Sequence, residues 1–121
     1  MDSIVDVVGE DGLLRLVAAF YKQVPSDDVL GPMYPQGEFE AAEQRLADFL
    51  IYRFGGSQKY IQERGHPRLR MRHIPFAVDV DARNRWMQLM DKALEQVEFP
   101  DHVTTALRDF FGQTATFMMN R

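Results

Sequence analysis

Cysteine is absent from the 121 residues of this sequence. Its absence excludes disulfides, thiolate nucleophiles, zinc fingers and iron–sulfur clusters. Histidine is scarce as well, with only His66, His73 and His102. A four-ligand zinc site would need several carboxylates to join these histidines, and no recognisable spacing supplies them. The sequence therefore argues against a zinc centre.

Long apolar runs are also missing, since none approaches the roughly 18 residues that a membrane span needs. The N-terminal residues 1–6 lack the basic and apolar regions of a signal peptide. A formal net charge of -4 disfavours general nucleic-acid binding. Glycine-rich phosphate loops, serine–histidine–acid elbows and paired-carboxylate motifs are not recognisable. These absences predict one cytoplasmic domain over residues 1–121, with neither membrane nor nucleic acid as a partner.

Helical periodicity is what the sequence does contain. A first helix is predicted up to Pro25 and a second from about Phe39 to Phe54. Asp81 is the predicted cap of a third, and Pro100 suits the first turn of a fourth. The predicted inward-facing residues are Leu13, Leu16, Val17, Phe20 and Val24, then Phe39, Ala42, Leu46, Phe49 and Leu50, then Trp86, Leu89, Met90, Ala93 and Val97, and finally Val103, Leu107, Phe110, Thr114 and Phe117. The pattern predicts an all-α fold with four main helices packed in pairs.

His73 lies in a short segment, residues 64–76, that is rich in arginine and follows a glycine pair. A porphyrin supplies four equatorial nitrogens, so it needs only one axial histidine from the protein. Arg70 and Arg72 suit haem propionates because a guanidinium matches a carboxylate. Alone, such a histidine is more often structural, and such arginines are solvated loop charges or phosphate ligands. The combination favours haem.

Tyr21, Tyr34 and Trp86 form a second group of interest. Dioxygen held at an iron centre carries partial negative charge, which buried hydroxyl or indole N–H donors would stabilise. Spacing alone favours simple core packing for each, with the polar tip tied to a backbone group. If the second helix covers a haem, Ala42 and Leu46 would face the ligand. Polar stabilisation must then come from elsewhere.

Motifs along nearly the whole chain match the pattern of one known family. They comprise Phe20-Tyr21, Tyr34-Pro35, residues 42–46, Gly55-Gly56, Tyr60, residues 64–76 and Arg85-Trp86. On these residues the sequence resembles the group II truncated haemoglobins, the bacterial two-over-two globins. One departure is that the family's usual early glycine pair appears here as Gly9-Glu10, with Gly12 further on.

The resemblance implies a two-over-two helical sandwich that holds haem b. By position it implies that His73 is the proximal iron ligand. It likewise implies that Tyr21, Tyr34 and Trp86 donate to a bound ligand. The remaining haem-binding positions that it implies are Ala42, Arg45, Leu46, Phe49, Tyr60, Arg72 and Phe76, with the two arginines beside the propionates.

The function expected from this resemblance is reversible binding of dioxygen and other diatomic gases such as CO and NO, with slow release. An enzyme that uses the same haem, either an NO dioxygenase or a peroxidase-like protein, is the alternative. A third reading is a non-haem helical adaptor whose patch at residues 64–72 binds an anionic partner. An external reductase is expected as a partner of the globin, and a homodimer is left open.

Overall fold

The structure is a computed structural model that describes residues 3–34, 38–55 and 78–120. These residues form four α-helices and one short 3-10 helix, and they contain no β-strand. In chain order the helices are α1 (Ile4–Tyr21), the 3-10 helix (Gly31–Met33), α2 (Phe39–Arg53), α3 (Val80–Val97) and α4 (Asp101–Phe117). The predicted all-α class is confirmed.

Helix α1 begins well before its predicted apolar stripe. Ser3 and Asp6 form a capping box, in which each side chain accepts a hydrogen bond of 3.1 Å from the other residue's backbone N–H. Gly9 interrupts the helical geometry with a φ of 76°, which glycine adopts without a steric penalty. The helix ends at Tyr21, so Val24 lies beyond it, although Val24 is fully buried as predicted.

Helix α2 ends at the glycine pair, as the sequence predicts. Phe54 follows the last helical residue, and Gly55 has a φ of 102°, in the left-handed region that favours glycine. A Cβ on Gly55 would lie 2.7 Å from the side chain of Ser3. The N–H of Val5 also donates to the carbonyl of Phe54 at 3.2 Å. The N-terminal turn is therefore docked on the end of α2.

The start of α3 corrects one prediction. Asp79, rather than Asp81, caps this helix, and its carboxylate accepts from the N–H of Ala82 at 2.8 Å. Asp81 lies in the first turn, where a negative charge favours the helix dipole without serving as the cap. Pro100 lies one residue before the first turn of α4, at the N-cap.

The core is formed where α1 packs against α2 and α3, and where α3 packs against α4. Its largest fully buried side chains include Leu13, Leu16, Phe20, Leu50, Met90, Leu94, Leu107 and Phe111. The prediction that Phe117 faces inward is wrong, since this residue is 60% exposed. The buried residues of α4 are Val103, Leu107, Phe111 and Ala115, so its stripe follows steps of four residues. Within the described ranges, no helix is long and apolar enough to cross a membrane.

Candidate functional site

A cavity of about 330 Å³ lies between the helices and is lined mostly by apolar side chains. Seven predicted site residues belong to the described part of the chain, and all seven line this cavity. They are Tyr21, Tyr34, Ala42, Arg45, Leu46, Phe49 and Trp86. Tyr60, Arg72, His73 and Phe76 lie outside the described residues, as does the whole arginine-rich segment, residues 64–76. The structure thus brings together residues from α1, α2, α3 and the loop after α1.

Tyr21 and Tyr34 form a hydrogen-bonded pair. Tyr21 is the last residue of α1, and Tyr34 follows the 3-10 helix in an extended conformation. Their hydroxyl oxygens are 3.3 Å apart, and either hydroxyl can be the donor. Burial raises the pKa of Tyr21, and the neighbouring Tyr34 raises it further. Burial also raises the pKa of Tyr34, against the opposing effects of Tyr21 and the positive charge of Arg45. Both phenols therefore stay protonated at neutral pH and keep an O–H to donate.

Trp86 lines the cavity from α3 and contacts two aromatic rings. Its ring centroid lies 5.0 Å from that of Phe20 and 5.4 Å from that of Phe111. Phe20 also makes an edge contact of 5.0 Å with Tyr21. Such tilted ring contacts restrict orientation as well as burying area. Phe20, predicted to face the core and part of the Phe20-Tyr21 motif, is thus a shared support for Tyr21 and Trp86.

Helix α2 supplies an apolar wall. Ala42 and Leu46 line the cavity one turn apart, and the ring of Phe49 lies 6.3 Å from that of Phe110 on α4. Arg45 is exposed yet also lines the cavity, and its positive charge reaches both tyrosines. The wall is therefore mainly apolar, and the charged residues Arg45 and Glu38 also line the cavity there.

Arg83 also lines the cavity, although its sequence context does not predict this. Its guanidinium donates to the hydroxyl of Thr116 at 3.2 Å and to the carbonyl of Gly112 at 3.3 Å, which ties α3 to α4. Both partners are far from Arg83 in the sequence, so no local pattern could reveal the contact. Leu30, Phe110, Phe111 and Met118 were likewise not predicted as lining residues.

The chemistry of the cavity fits haem. A porphyrin is an apolar disc with two carboxylates at one edge, so it needs an apolar slot and a cationic rim. Ala42, Leu46 and Phe49 supply the slot, and Arg45 supplies a cation at its edge. Among the described residues no group of three or more His, Asp or Glu side chains could hold a metal ion. Haem iron is already held by the four porphyrin nitrogens, so it does not need such a cluster of protein side chains.

The comparisons with known proteins all identify relatives among the bacterial-like and truncated globins. A model of the bacterial-like globin family matches residues 3–120. The group 2 truncated haemoglobin YjbI of Bacillus subtilis (strain 168) is 33% identical over 116 residues, covering 96% of this chain and 87% of that protein. A thermostable haemoglobin of Thermobifida fusca superposes with a TM-score of 0.94 at 39% identity, covering 98% of this chain and 97% of that one. The truncated oxygen-avid haemoglobin of Bacillus subtilis gives a TM-score of 0.91 at 31% identity, covering 98% and 100% respectively.

These matches confirm the predicted truncated-globin fold and extend over nearly all of the chain. They also confirm the resemblance carried by the sequence motifs. Globins of this kind carry haem iron and bind diatomic gases such as oxygen. This chain belongs to the bacterial-like globin family and, within it, to the group 2 truncated haemoglobins.

Proposed function

We propose that this globin holds haem b and binds dioxygen, CO and NO reversibly, with slow release of dioxygen. The observation that carries the proposal is the convergence of Tyr21, Tyr34 and Trp86 on one apolar cavity. The relation to the oxygen-avid haemoglobin of Bacillus subtilis supports it. The same relation favours a haem protein over a helical adaptor.

The cofactor would be held by residues on several elements. Haem, when bound, supplies the iron at which a diatomic gas is held. We propose that His73 would hold the haem iron through a ring nitrogen. Arg45 and Arg72 would pair with the propionates through charge-assisted hydrogen bonds. The proposed packing residues are Ala42, Leu46, Phe49, Tyr60 and Phe76.

The cavity itself would retain the gas. Tyr21 and Tyr34 keep their hydroxyl protons because burial raises the pKa of each phenol. Because one hydroxyl of the pair donates to the other, the second phenol O–H and the indole N–H of Trp86 remain to donate to a ligand that carries partial negative charge. Apolar side chains around the donors exclude water, which strengthens each hydrogen bond. A ligand must break these bonds to leave, so its release would be slow.

The visible spectrum of the full chain tests the proposal most directly. Wild-type protein expressed with haem available should show a Soret band that shifts on reduction and again on addition of carbon monoxide. His73→Ala should weaken or alter that band, because the axial ligand is removed. His102→Ala, at an exposed position of α4 that is not among the cavity-lining residues, is the matched control and should leave the spectrum unchanged. Folded wild-type protein without a Soret band would refute the proposal.

A haem enzyme is the second candidate, either an NO dioxygenase or a peroxidase-like protein. The observation that favours it is that oxidisable side chains, Tyr21, Tyr34 and Trp86, line the cavity. Against it, the described lining contains no histidine to act as a distal acid–base group. Turnover with peroxide, or with NO and a reductase, separates this candidate from simple binding.

The proposal extends to the cellular setting. Residues 1–121 would act as a single globin domain in the cytoplasm, and an external reductase would keep the iron ferrous. A homodimer is the alternative to a monomer, and light scattering on the haem-loaded protein would distinguish them.

A further inference from the structure

Asp27 organises the loop that joins α1 to Tyr34. One carboxylate oxygen of Asp27 accepts from the N–H groups of Val29 at 3.0 Å and Leu30 at 2.8 Å. Its backbone carbonyl accepts from the N–H of Gly31, the first residue of the 3-10 helix, at 3.0 Å. Asp27 therefore fixes the path of the chain as far as Gly31, and the N–H of Tyr34 in turn donates to the carbonyl of Gly31 at 3.3 Å.

The other carboxylate oxygen of Asp27 fastens the loop to α3. It accepts from the Nη1 atom of Arg85 at 2.8 Å, and the same nitrogen contacts Asp28 at 2.7 Å. Arg85 directly precedes Trp86 on α3. The two acids differ in environment, because the side chain of Asp27 is 9% exposed and that of Asp28 is 85% exposed. A sheltered ion pair holds a defined geometry, whereas an exposed one contributes little.

Electrostatics favour the charged form of Asp27. Burial opposes ionisation of this carboxyl, but hydrogen bonds from Leu30, Arg85 and Val29 outweigh burial and hold its pKa below the ordinary 3.8. The carboxylate is consequently ionised throughout the neutral range. Its bond to Arg85 is then a charge-assisted hydrogen bond, the stronger kind.

We propose that the Asp27–Arg85 ion pair is a positioning device that sets the separation between Tyr34 and Trp86 in the cavity. Tyr34 lies at the end of the loop that Asp27 organises, and Trp86 lies next to Arg85. The pair thus connects the supports of two ligand donors that are otherwise on separate elements. This inference rests on the proposed function, because it concerns the donors assigned there.

Asp27→Asn in the haem-loaded full chain is the test variant, and Asp28→Asn is its matched control. Both remove one negative charge beside Arg85. The asparagine at position 27 can still accept from Val29 and Leu30, so the change weakens the link to α3 more than the loop itself. Asp91→Asn, which breaks an exposed contact of 3.0 Å between Asp91 on α3 and Arg108 on α4, controls for a general effect of charge removal on α3.

Two readouts report on the cavity rather than on folding. The expected result for Asp27→Asn is dioxygen release about three- to tenfold faster than in wild type, the range that weakening one hydrogen bond produces. The C–O stretching frequency of the carbon monoxide complex should rise as well, because weaker donors face the ligand. Both controls should match wild type in both measurements. Arg85→Gln should repeat the effect with Asp27 intact, which covers the case in which Asp27→Asn folds poorly.

Two results would overturn the proposed positioning role. If Asp27→Asn and Arg85→Gln lower only the melting temperature, with release and stretching frequency as in wild type, the pair is merely structural and the proposal is overturned. An equal effect of Asp28→Asn would also overturn it, because bulk charge would then suffice.

A colourless wild type would refute the proposed function but still leave the positioning role measurable. Trp86 is the one tryptophan in the sequence, so its fluorescence reports on this region directly. Asp27→Asn, but not Asp28→Asn, should then shift its emission to longer wavelength. Unchanged emission would overturn the positioning role as well.

Discussion

The two walls of the cavity are built by different kinds of interaction. The wall of α1, its following loop and α3 carries the donors, and besides ring contacts its elements are tied together by directional bonds. Among these, the Gln23 side-chain amide donates to the carbonyl of Ala19 at 3.1 Å and to that of Leu89 at 2.9 Å, which joins α1 to α3. The wall of α2 and α4 is held by ring contacts, with Arg53 lying 5.3 Å from the ring centre of Phe110. We call these the donor wall and the apolar wall.

The contrast follows from what each wall has to do. A hydrogen-bond donor loses most of its strength when its distance or angle is wrong, so its support must be rigid in direction. An apolar surface only has to exclude water and fill space, which non-directional packing achieves. The lesson is that cross-links between elements mark the part of a cavity where geometry matters for chemistry.

The largest expected effect comes from removing the shared support of the donor wall. Phe20→Ala should destabilise the protein by about 3–5 kcal/mol, because Phe20 is fully buried and its loss leaves a cavity. It should also speed dioxygen release, since Tyr21 and Trp86 both lose a ring contact. Denaturant unfolding and stopped-flow release measure the two effects.

Leu107→Ala is the matched control for that prediction. Leu107 is also fully buried, but it lies on α4 and is not among the cavity-lining residues. It should destabilise the protein by about 2–5 kcal/mol and leave release unchanged. If both variants speed release equally, loss of stability alone explains the effect and Phe20 has no special role.

Removing a donor should have the next largest effect. Tyr21→Phe and Trp86→Phe should each speed dioxygen release by about tenfold to a hundredfold, which corresponds to one hydrogen bond to a charged acceptor. Phe49→Leu on the apolar wall should change release little, although haem loss should become faster. Release rates that respond equally on both walls would contradict the division between them.

The smallest expected effect concerns the tyrosines at high pH. Because their folded pKa values are raised above 10.0, the protonated phenols stabilise the folded state. This stabilisation is present below pH 10 and is lost as pH rises through the folded pKa values. Ultraviolet titration of the native protein should therefore show less tyrosinate from Tyr21 and Tyr34 at pH 10 than ordinary phenols give, judged against the Tyr21→Phe and Tyr34→Phe variants. A signal of ordinary size at that pH would mean that the donor wall is open to water.

Much of this architecture could be predicted because it is local. The extents of α2 and α4 follow from apolar spacing, from Gly55 and from Pro100. The family motifs then identified seven side chains that the fold brings to one cavity. Apolar periodicity was less reliable in predicting which face of a helix is buried. On α4, Phe110 and Phe111 are about 100° apart round the axis, and a stripe drawn through Phe110 leads to Phe117, which is in fact exposed.

The parts that escaped prediction depend on contacts between distant residues. Asp27 and Arg85 are 58 positions apart, so no local pattern pairs them, and only the fold makes them partners. Phe20 reads as core from spacing, and its contact with Trp86 requires α1 and α3 to be packed together. The choice between Asp79 and Asp81 as cap depends on which residue takes the extended conformation, which spacing does not decide.

The docking of the N-terminal turn on Gly55 has a consequence for the order of folding. Ser3 and Gly55 are distant in the sequence, so their contact requires a long loop of chain to close. The chain loses conformational entropy in closing that loop before the contact can stabilise it. The first residues of the chain are thus expected to join the fold among the last. Substituting Ser3 should therefore accelerate unfolding while leaving the folding rate nearly unchanged. The N-terminal turn at Ser3 would thus dock on α2 after the rest of the globin fold has formed.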